Sequence, residues 1–214
     1  MGDVAATRPS WEGLRMAGPL QFQFVMSADD VDRLPPTRAE VAFLGRSNVG
    51  KSSLLNALAH RKALAHVSKS PGRTQLLNCF ELGNGTTAVD CPGYGFAAVP
   101  GRVRAGWQQM MDRYLLERRE LRMALVLVDG EIGPTKLDVQ MLDWLRANEL
   151  PFVVVASKHD KVKASVRDKR KRELAEGCGV AGNEVVWVSA AKGVGIDRLR
   201  SLIRGWLDQT SSTA

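Results

Sequence analysis

Residues 45–52 read GRSNVGKS: Gly45, four residues, then Gly50, Lys51 and Ser52. Glycines at that spacing let a backbone wrap a phosphate chain with its N–H groups pointing inward. The motif follows the apolar run EVAFLG and precedes the helical pattern GKSSLLNALAH, the setting such a loop needs. Arg46, Ser47, Asn48 and Val49 complete the wrap, and Ser53 follows it into the helix. Lys51 would neutralise β and γ oxygens, Ser52 would ligate Mg²⁺, and the helix N-terminus adds favourable partial charge.

Three further loops end apolar runs downstream. In DCPG, Asp90 can hold Mg²⁺ through a water and the Gly93 N–H can sense a γ-phosphate, with Cys91 and Pro92 between them. In SKHD, Ser157 to Asp160, the Asp160 carboxylate can accept both N1–H and the N2 amine of guanine, a pairing adenine does not offer. The Lys158 stem can lie over the base plane, with His159 between them. In VSAAKG, the small residues after Val188, Ser189 and Ala190, let backbone N–H groups approach a purine O6. Each of the later three is weak alone. Four in order at four strand ends specify a Mg²⁺-dependent guanine-nucleotide site, with GTP or GDP as ligand.

Between the first two loops lies SKSPGRTQLLN, residues 68–78, polar and broken by Pro71 and Gly72. A switch segment belongs there, with Thr74 on Mg²⁺ and its backbone touching a γ-phosphate. One residue is out of keeping. After DCPG, where many such loops carry a water-orienting Gln, this chain has Tyr94.

The elements that must position these loops are legible as alternating apolar strands and amphipathic helices. Strands are expected over 40–45, 76–83, 85–90, 123–130, 151–158 and 184–190. Helices are expected over 50–60, 104–120 and 137–149, through the basic stretch to Glu176, and over 195–209. The stripe Trp107, Met110, Met111, Tyr114 and Leu115 is expected to be buried, as are Trp144, Trp187 and Trp206. GNG joins 76–83 to 85–90 as a hairpin. The expected fold is α/β: a three-layer, mostly parallel sheet with one antiparallel edge strand. Residues 1–21 read as a mobile N-terminal lead, 22–209 as the nucleotide domain and 210–214 as a frayed tail.

Composition sets the outer limits. At 214 residues the chain accommodates one such domain with a full core. A net charge of +7 favours polyanionic partners, RNA first among them. Cys79, Cys91 and Cys178 form no CxxC pair, as expected of reduced thiols in a cytoplasmic protein. His60, His66 and His159 lack ligand spacing, and no apolar run reaches membrane-span length.

Taken together, GRSNVGKSSLLNAL, SPGRTQLLN, DCPGYGFA, SKHDK and VSAAKG resemble the EngB/YsxC family of bacterial GTPases, over roughly residues 22–208. The resemblance implies a Ras-like P-loop GTPase that assists assembly of the large ribosomal subunit; a monomer is the expected state, with the oligomeric state left open by the sequence. It also implies a part in growth, division and septation. The family's nucleotide contacts map onto residues 45–52, onto Gly72, Arg73, Thr74, Gln75 and Leu76, and onto residues 90–93, 157–160 and 188–190. Its Mg²⁺ ligands map onto Ser52 and Thr74. Two departures stand out. Ser157 replaces the usual Thr or Asn, which predicts a weaker tie to the phosphate loop, and Cys91 replaces a usual Leu.

Phosphoryl transfer needs positioning and charge stabilisation more than covalent help, so the missing Gln predicts slow turnover by the isolated protein. Lys51, Thr74, Gly93 and Asn48 are the groups expected at the reacting phosphate. Some glutamine-less relatives use an Asn at this place to help hold K⁺ where others use an arginine finger, which makes K⁺ a candidate ion here, with Arg73 as the rival source of charge. The basic run 158–173 is a candidate surface for rRNA of the large subunit or its precursor, alongside ribosomal proteins. Two other readings stay open at this stage: a nucleotide-dependent binding module with incidental turnover, and a P-loop small-molecule kinase.

Overall fold

The computed structural model describes residues 18–61, 64, 76–94 and 101–209, the side chains of 101–105 and 107 excepted. Gly72, Arg73, Thr74 and Gln75 of the expected switch, His66, the Trp107 side chain and the tail 210–214 lie outside them.

Seven strands and five α-helices alternate along the chain. They are β1 (Gln23–Ala28), β2 (Ala39–Gly45), α1 (Lys51–Ala59), β3 (Leu77–Gly83), β4 (Thr86–Asp90) and α2 (Gly101–Glu117). There follow β5 (Leu121–Asp129), α3 (Lys136–Ala147), β6 (Phe152–Ser157), α4 (Arg167–Gly177), β7 (Val185–Trp187) and α5 (Ile196–Asp208). The sheet order is β1-β3-β4-β2-β5-β6-β7. β4, β2, β5, β6 and β7 pair in parallel, so their carboxyl ends share one edge of the sheet.

Alternation along β2 explains the three layers. Val41 and Phe43 face a core built with Leu54, Leu55 and Leu58 of α1 and Leu199, Ile203 and Trp206 of α5. Ala42 and Leu44 face the opposite core, with Met111 and Tyr114 of α2, Leu142 and Leu145 of α3 and Leu174 of α4. Both faces of the parallel strands are therefore apolar, which is why they read as continuous hydrophobic runs. Trp206 is buried, whereas Trp144 and Trp187 only flank the second core.

The antiparallel strand is β3, and it is covered rather than exposed: β1 pairs with it along its outer side. β1 escapes a reading by alternation because its register slips between Phe24 and Met26, breaking the two-residue period. Residues 18–21 are not a free lead. Leu20 is buried, its N–H donates to the Leu58 carbonyl at 3.0 Å, and Arg204 donates to the Gly18 carbonyl at 2.8 Å.

Other bounds shift for local reasons. α2 begins three residues before its expected start and stops at Glu117, where the neighbouring Arg118 turns in to the buried Glu40 carboxylate. The basic stretch after β6 is two short 3₁₀ turns, His159–Lys161 and Ala164–Val166, before α4 begins. β7 ends at Trp187, and residues 188–190 leave the sheet as a loop turned by Gly193 and Gly195, both at positive φ.

One contact fixes α1 in space. Arg200 of α5, 7% exposed, donates to the Leu58 carbonyl at 3.0 Å and the Ala57 carbonyl at 2.7 Å, with Asp197 as its counter-ion. Carbonyls at the end of a helix have no partner within it. Arg200 supplies one, and so holds the helix that carries the phosphate loop.

Candidate nucleotide site

The residues between β2 and α1 form a tight loop, and its backbone shows why glycine is needed. Gly50 sits at φ 103° and Asn48 at φ 64°, both left-handed. Gly45 packs against the loop's own return: a side-chain carbon there would stand 2.9 Å from Val49. Lys51 opens α1, and its ammonium donates to the Asp90 carboxylate and, at 2.6 Å, to the Cys91 carbonyl. The first two loops read from the sequence therefore meet at Lys51.

The DCPG segment runs beside the end of β2 and the start of the phosphate loop. The Cys91 N–H donates to the Phe43 carbonyl at 3.1 Å and the Tyr94 N–H to the Gly45 carbonyl at 3.3 Å. A side chain on Gly93 would stand 2.9 Å from the Ser47 amide nitrogen, so only glycine fits. Ser47 Oγ is buried and has no hydrogen-bond partner among the described residues. An unpaired buried hydroxyl costs roughly 1–3 kcal/mol, so it marks a place where a polar ligand atom fits.

At the end of β6, the Ser157 hydroxyl donates to the Val49 carbonyl at 2.7 Å. The tie expected from this loop to the phosphate loop is therefore present with serine: the side chain is buried on β6, and its hydroxyl also lies 3.3 Å from the Val128 carbonyl. Lys158, at φ 55°, donates to Asp129 at 2.7 Å, and Asp129 itself accepts the Glu131 N–H at 3.0 Å. Asp129 therefore fixes the direction of the lysine stem. It was not singled out from the sequence, although a buried strand ending in Asp-Gly is a visible signal.

Asp160 is exposed, and one of its oxygens accepts the Ser189 hydroxyl at 2.5 Å. That bond is the main reason its carboxyl titrates below the usual value. The Ser189 hydroxyl in turn accepts the Lys192 N–H at 3.1 Å, and the His159 N–H donates to the Val188 carbonyl at 3.0 Å. These bonds bring SKHD and VSAAKG together. His159 packs edge-on to Trp187, ring centroids 5.6 Å apart. Its partial burial, then Arg167 and Lys171, lowers its pKa, so the ring is neutral at pH 7.

Tyr94 is no free hydroxyl on a loop. It is 6% exposed, and its hydroxyl donates to Asp138 of α3 at 2.9 Å. Burial above all, then the Asp138 charge, pushes its pKa up. The three cysteines are buried free thiols, and burial pushes Cys79 up to about 12 and Cys178 up to about 11. Thiols held protonated in this way are poor nucleophiles.

Of the candidate residues, those of 45–53, 90–93, 157–160 and 188–190 meet at the carboxyl edge of the sheet, and Leu76 precedes β3. For Mg²⁺ the donors are of the right kind, hydroxyl and carboxylate oxygens at Ser52 and Asp90. No cluster of three or more His, Cys, Asp or Glu that could hold a metal exists among the described residues.

A parallel sheet with a phosphate loop after its first parallel strand and a Lys-x-Asp turn near its far edge is a Ras-like P-loop GTPase domain. The family model of the 50S ribosome-binding GTPase matches residues 40–158. The probable GTP-binding protein EngB of Enterobacter sp. (strain 638) is 43% identical over 190 residues, 87% of this chain and 91% of that protein. A crystal structure of a probable GTP-binding protein EngB superposes with a TM-score of 0.66 at 28% identity, over 79% of this chain and 98% of the other. Era in complex with MgGDPNP and a fragment of 16S ribosomal RNA superposes at 0.59 and 25% identity, over 80% of this chain and 57% of Era. The chain belongs to the EngB family of GTP-binding proteins.

Proposed function

We propose that this protein is a Mg²⁺-dependent GTP switch in the assembly of the large ribosomal subunit, acting as a cytoplasmic monomer. The observation that carries the reading is the convergence of two charged loops on one sheet edge: Lys51 beside Asp90, and Asp160 braced by Ser189. The first suits a polyphosphate with its metal, the second a guanine. Membership of a family described as 50S ribosome-binding supports the partner, and Era bound to MgGDPNP supports the metal and nucleotide.

When bound, Mg²⁺ would draw charge from the β and γ oxygens; Ser52 would ligate it directly, Asp90 would hold it through water, and Thr74 would join them. Lys51 would turn from Asp90 to the phosphates, and the Ser47 hydroxyl would gain an acceptor. The Gly93 N–H would meet the γ-phosphate. GTP would order the switch, the ordered form would bind the pre-ribosomal particle, and hydrolysis would release it. A part in growth, division and septation follows from that role. The rRNA-facing surface we assign to α4 and the turns before it. There Lys161, Lys163, Lys169 and Arg172 are exposed, and the pairs of Lys169 and Arg170 with Glu173 are loose, at 3.8 and 3.6 Å.

Co-sedimentation on a sucrose gradient tests the role: association with large-subunit particles is expected with a non-hydrolysable GTP analogue and not with GDP. Association indifferent to nucleotide would remove the switch. Turnover by the isolated protein is expected to be slow, because Tyr94, committed to Asp138, does not orient water. Asn48, exposed in the phosphate loop, is our candidate for holding K⁺. Faster turnover in K⁺ than in Na⁺ is the expected result, and equal rates would leave Asn48 without that role. Tyr94 also favours a second reading, a nucleotide-dependent binding module with incidental hydrolysis. Failure of ribosomal particles to stimulate turnover would select it.

A further inference from the structure

Asp138 lies outside every loop that carries the nucleotide motifs, yet it joins two of them. Its side chain is fully buried at the third position of α3. One carboxylate oxygen accepts the Tyr94 hydroxyl at 2.9 Å. The other accepts Arg46 Nε at 3.0 Å, and the Thr135 N–H and hydroxyl at 2.8 Å each. Burying a carboxylate is costly unless it is paired and fully hydrogen-bonded. Here the guanidinium, the helix N-terminus and the tyrosine together meet that demand.

The arrangement has a direction. Arg46 is the second residue of the phosphate loop, and Tyr94 is the residue after Gly93. Their backbones already pair as an isolated parallel bridge. Asp138 adds a side-chain clamp across the same two strands, and between them Gly93 is pressed onto the Ser47 amide.

We propose that Asp138 is a positioning residue for γ-phosphate recognition, clamping Tyr94 to Arg46 so that the Gly93 N–H is held at the phosphate loop. This rests on the guanine-nucleotide reading above, and it gives the tyrosine at the glutamine position a task of its own. The residue is fixed to hold the sensor in place, and water positioning falls to other groups. On this proposal the Gly93 N–H serves the γ-phosphate, so the clamp should matter more to GTP than to GDP.

That selectivity separates positioning from mere stability. Asp138→Asn, Tyr94→Phe and the double variant would be titrated in the full chain with Mg²⁺, using fluorescent GDP and a fluorescent non-hydrolysable GTP analogue. Thermal unfolding would be recorded beside each titration. Each single variant is expected to weaken the analogue about tenfold, the loss of one charge-assisted hydrogen bond, while GDP binding stays within about twofold. The double variant is expected to lose less than the product of the two single losses, because both act on one clamp: Tyr94→Phe removes the bond to Asp138, and Asp138→Asn removes the charge that holds Arg46. If Asp138→Asn fails to fold, Tyr94→Phe decides alone, since it keeps the buried ring. Equal losses for both nucleotides, or a lowered Tm with an unchanged ratio, would overturn the clamp. A wild-type chain that bound neither nucleotide would instead overturn the guanine-nucleotide reading.

Discussion

Lys51→Ala is expected to lower the affinity for GTP by about 10²- to 10⁴-fold. An ammonium donating to phosphate oxygens makes charge-assisted hydrogen bonds of about 1.5–3 kcal/mol each, and two of them give a loss of that size. The lysine is well placed to supply them. It occupies the first turn of α1, its side chain is only 12% exposed, and it already spans to the end of β4. In the folded chain without nucleotide, its ammonium neutralises Asp90. Binding a magnesium nucleotide exchanges that pairing for two others, ammonium to phosphate and carboxylate to the metal's water. Truncation removes the first of these and leaves the second. Thermal unfolding without nucleotide should also fall, by several degrees, since truncation leaves the largely buried Asp90 carboxylate without its counter-ion. Lys161→Ala, at an exposed position, is the matched control and should bind GTP as the wild type does. A Lys51→Ala protein within threefold of wild-type affinity would remove the lysine from the site.

The parts of this site that could be read in the sequence are those built from neighbours in the chain. The phosphate loop is one, because its glycines, lysine and serine all answer to a single turn of backbone. The guanine turn is another, since Lys158 and Asp160 stand two residues apart. The unread parts are contacts between distant segments. Asp138 meets Arg46 across 92 residues and Tyr94 across 44, and nothing local distinguishes a buried carboxylate at the third position of a helix from an exposed one. Asp129 was missed for the same reason: its task appears only once β5 and β6 lie side by side, with Asp129 opposite Ser157. Among the strands, those of the parallel core were legible as apolar runs. β1 was not, because a bulge cancels its alternation. β7 ends earlier than expected because the apolar run VVWV continues past Trp187, and only the glycine turns that follow decide where pairing stops. Tyr94 shows the limit most clearly. Its residue type excluded one role, but its actual role depends on a partner that local sequence does not reveal.

The largest change in specificity should come from Asp160→Asn, which is expected to exchange GTP for xanthosine triphosphate as the preferred ligand. Guanine offers two donors along one edge, N1–H and the N2 amine, and a carboxylate accepts both. The bond from Ser189 engages one Asp160 oxygen and so restrains the carboxylate. Because that bond favours the charged form, the folded pKa lies below the usual value of 3.8. The carboxylate is then ionised above about pH 5, and its contribution to guanine affinity should be level from there to pH 8, falling only as pH drops through the folded pKa. Asparagine keeps the shape and can still accept from Ser189, but its amide presents a donor where guanine also presents one. Sites built to hydrogen-bond a group reject its mismatch by large factors, and a loss of about 10²- to 10³-fold in GTP affinity is expected. Xanthine carries a carbonyl oxygen in place of the amine, which the new amide can meet. Titration of both proteins with the guanosine, xanthosine and adenosine triphosphates checks the outcome. A variant that still prefers GTP to its xanthosine counterpart would place base recognition elsewhere. A wild-type chain binding ATP as well as GTP would undo the guanine assignment altogether.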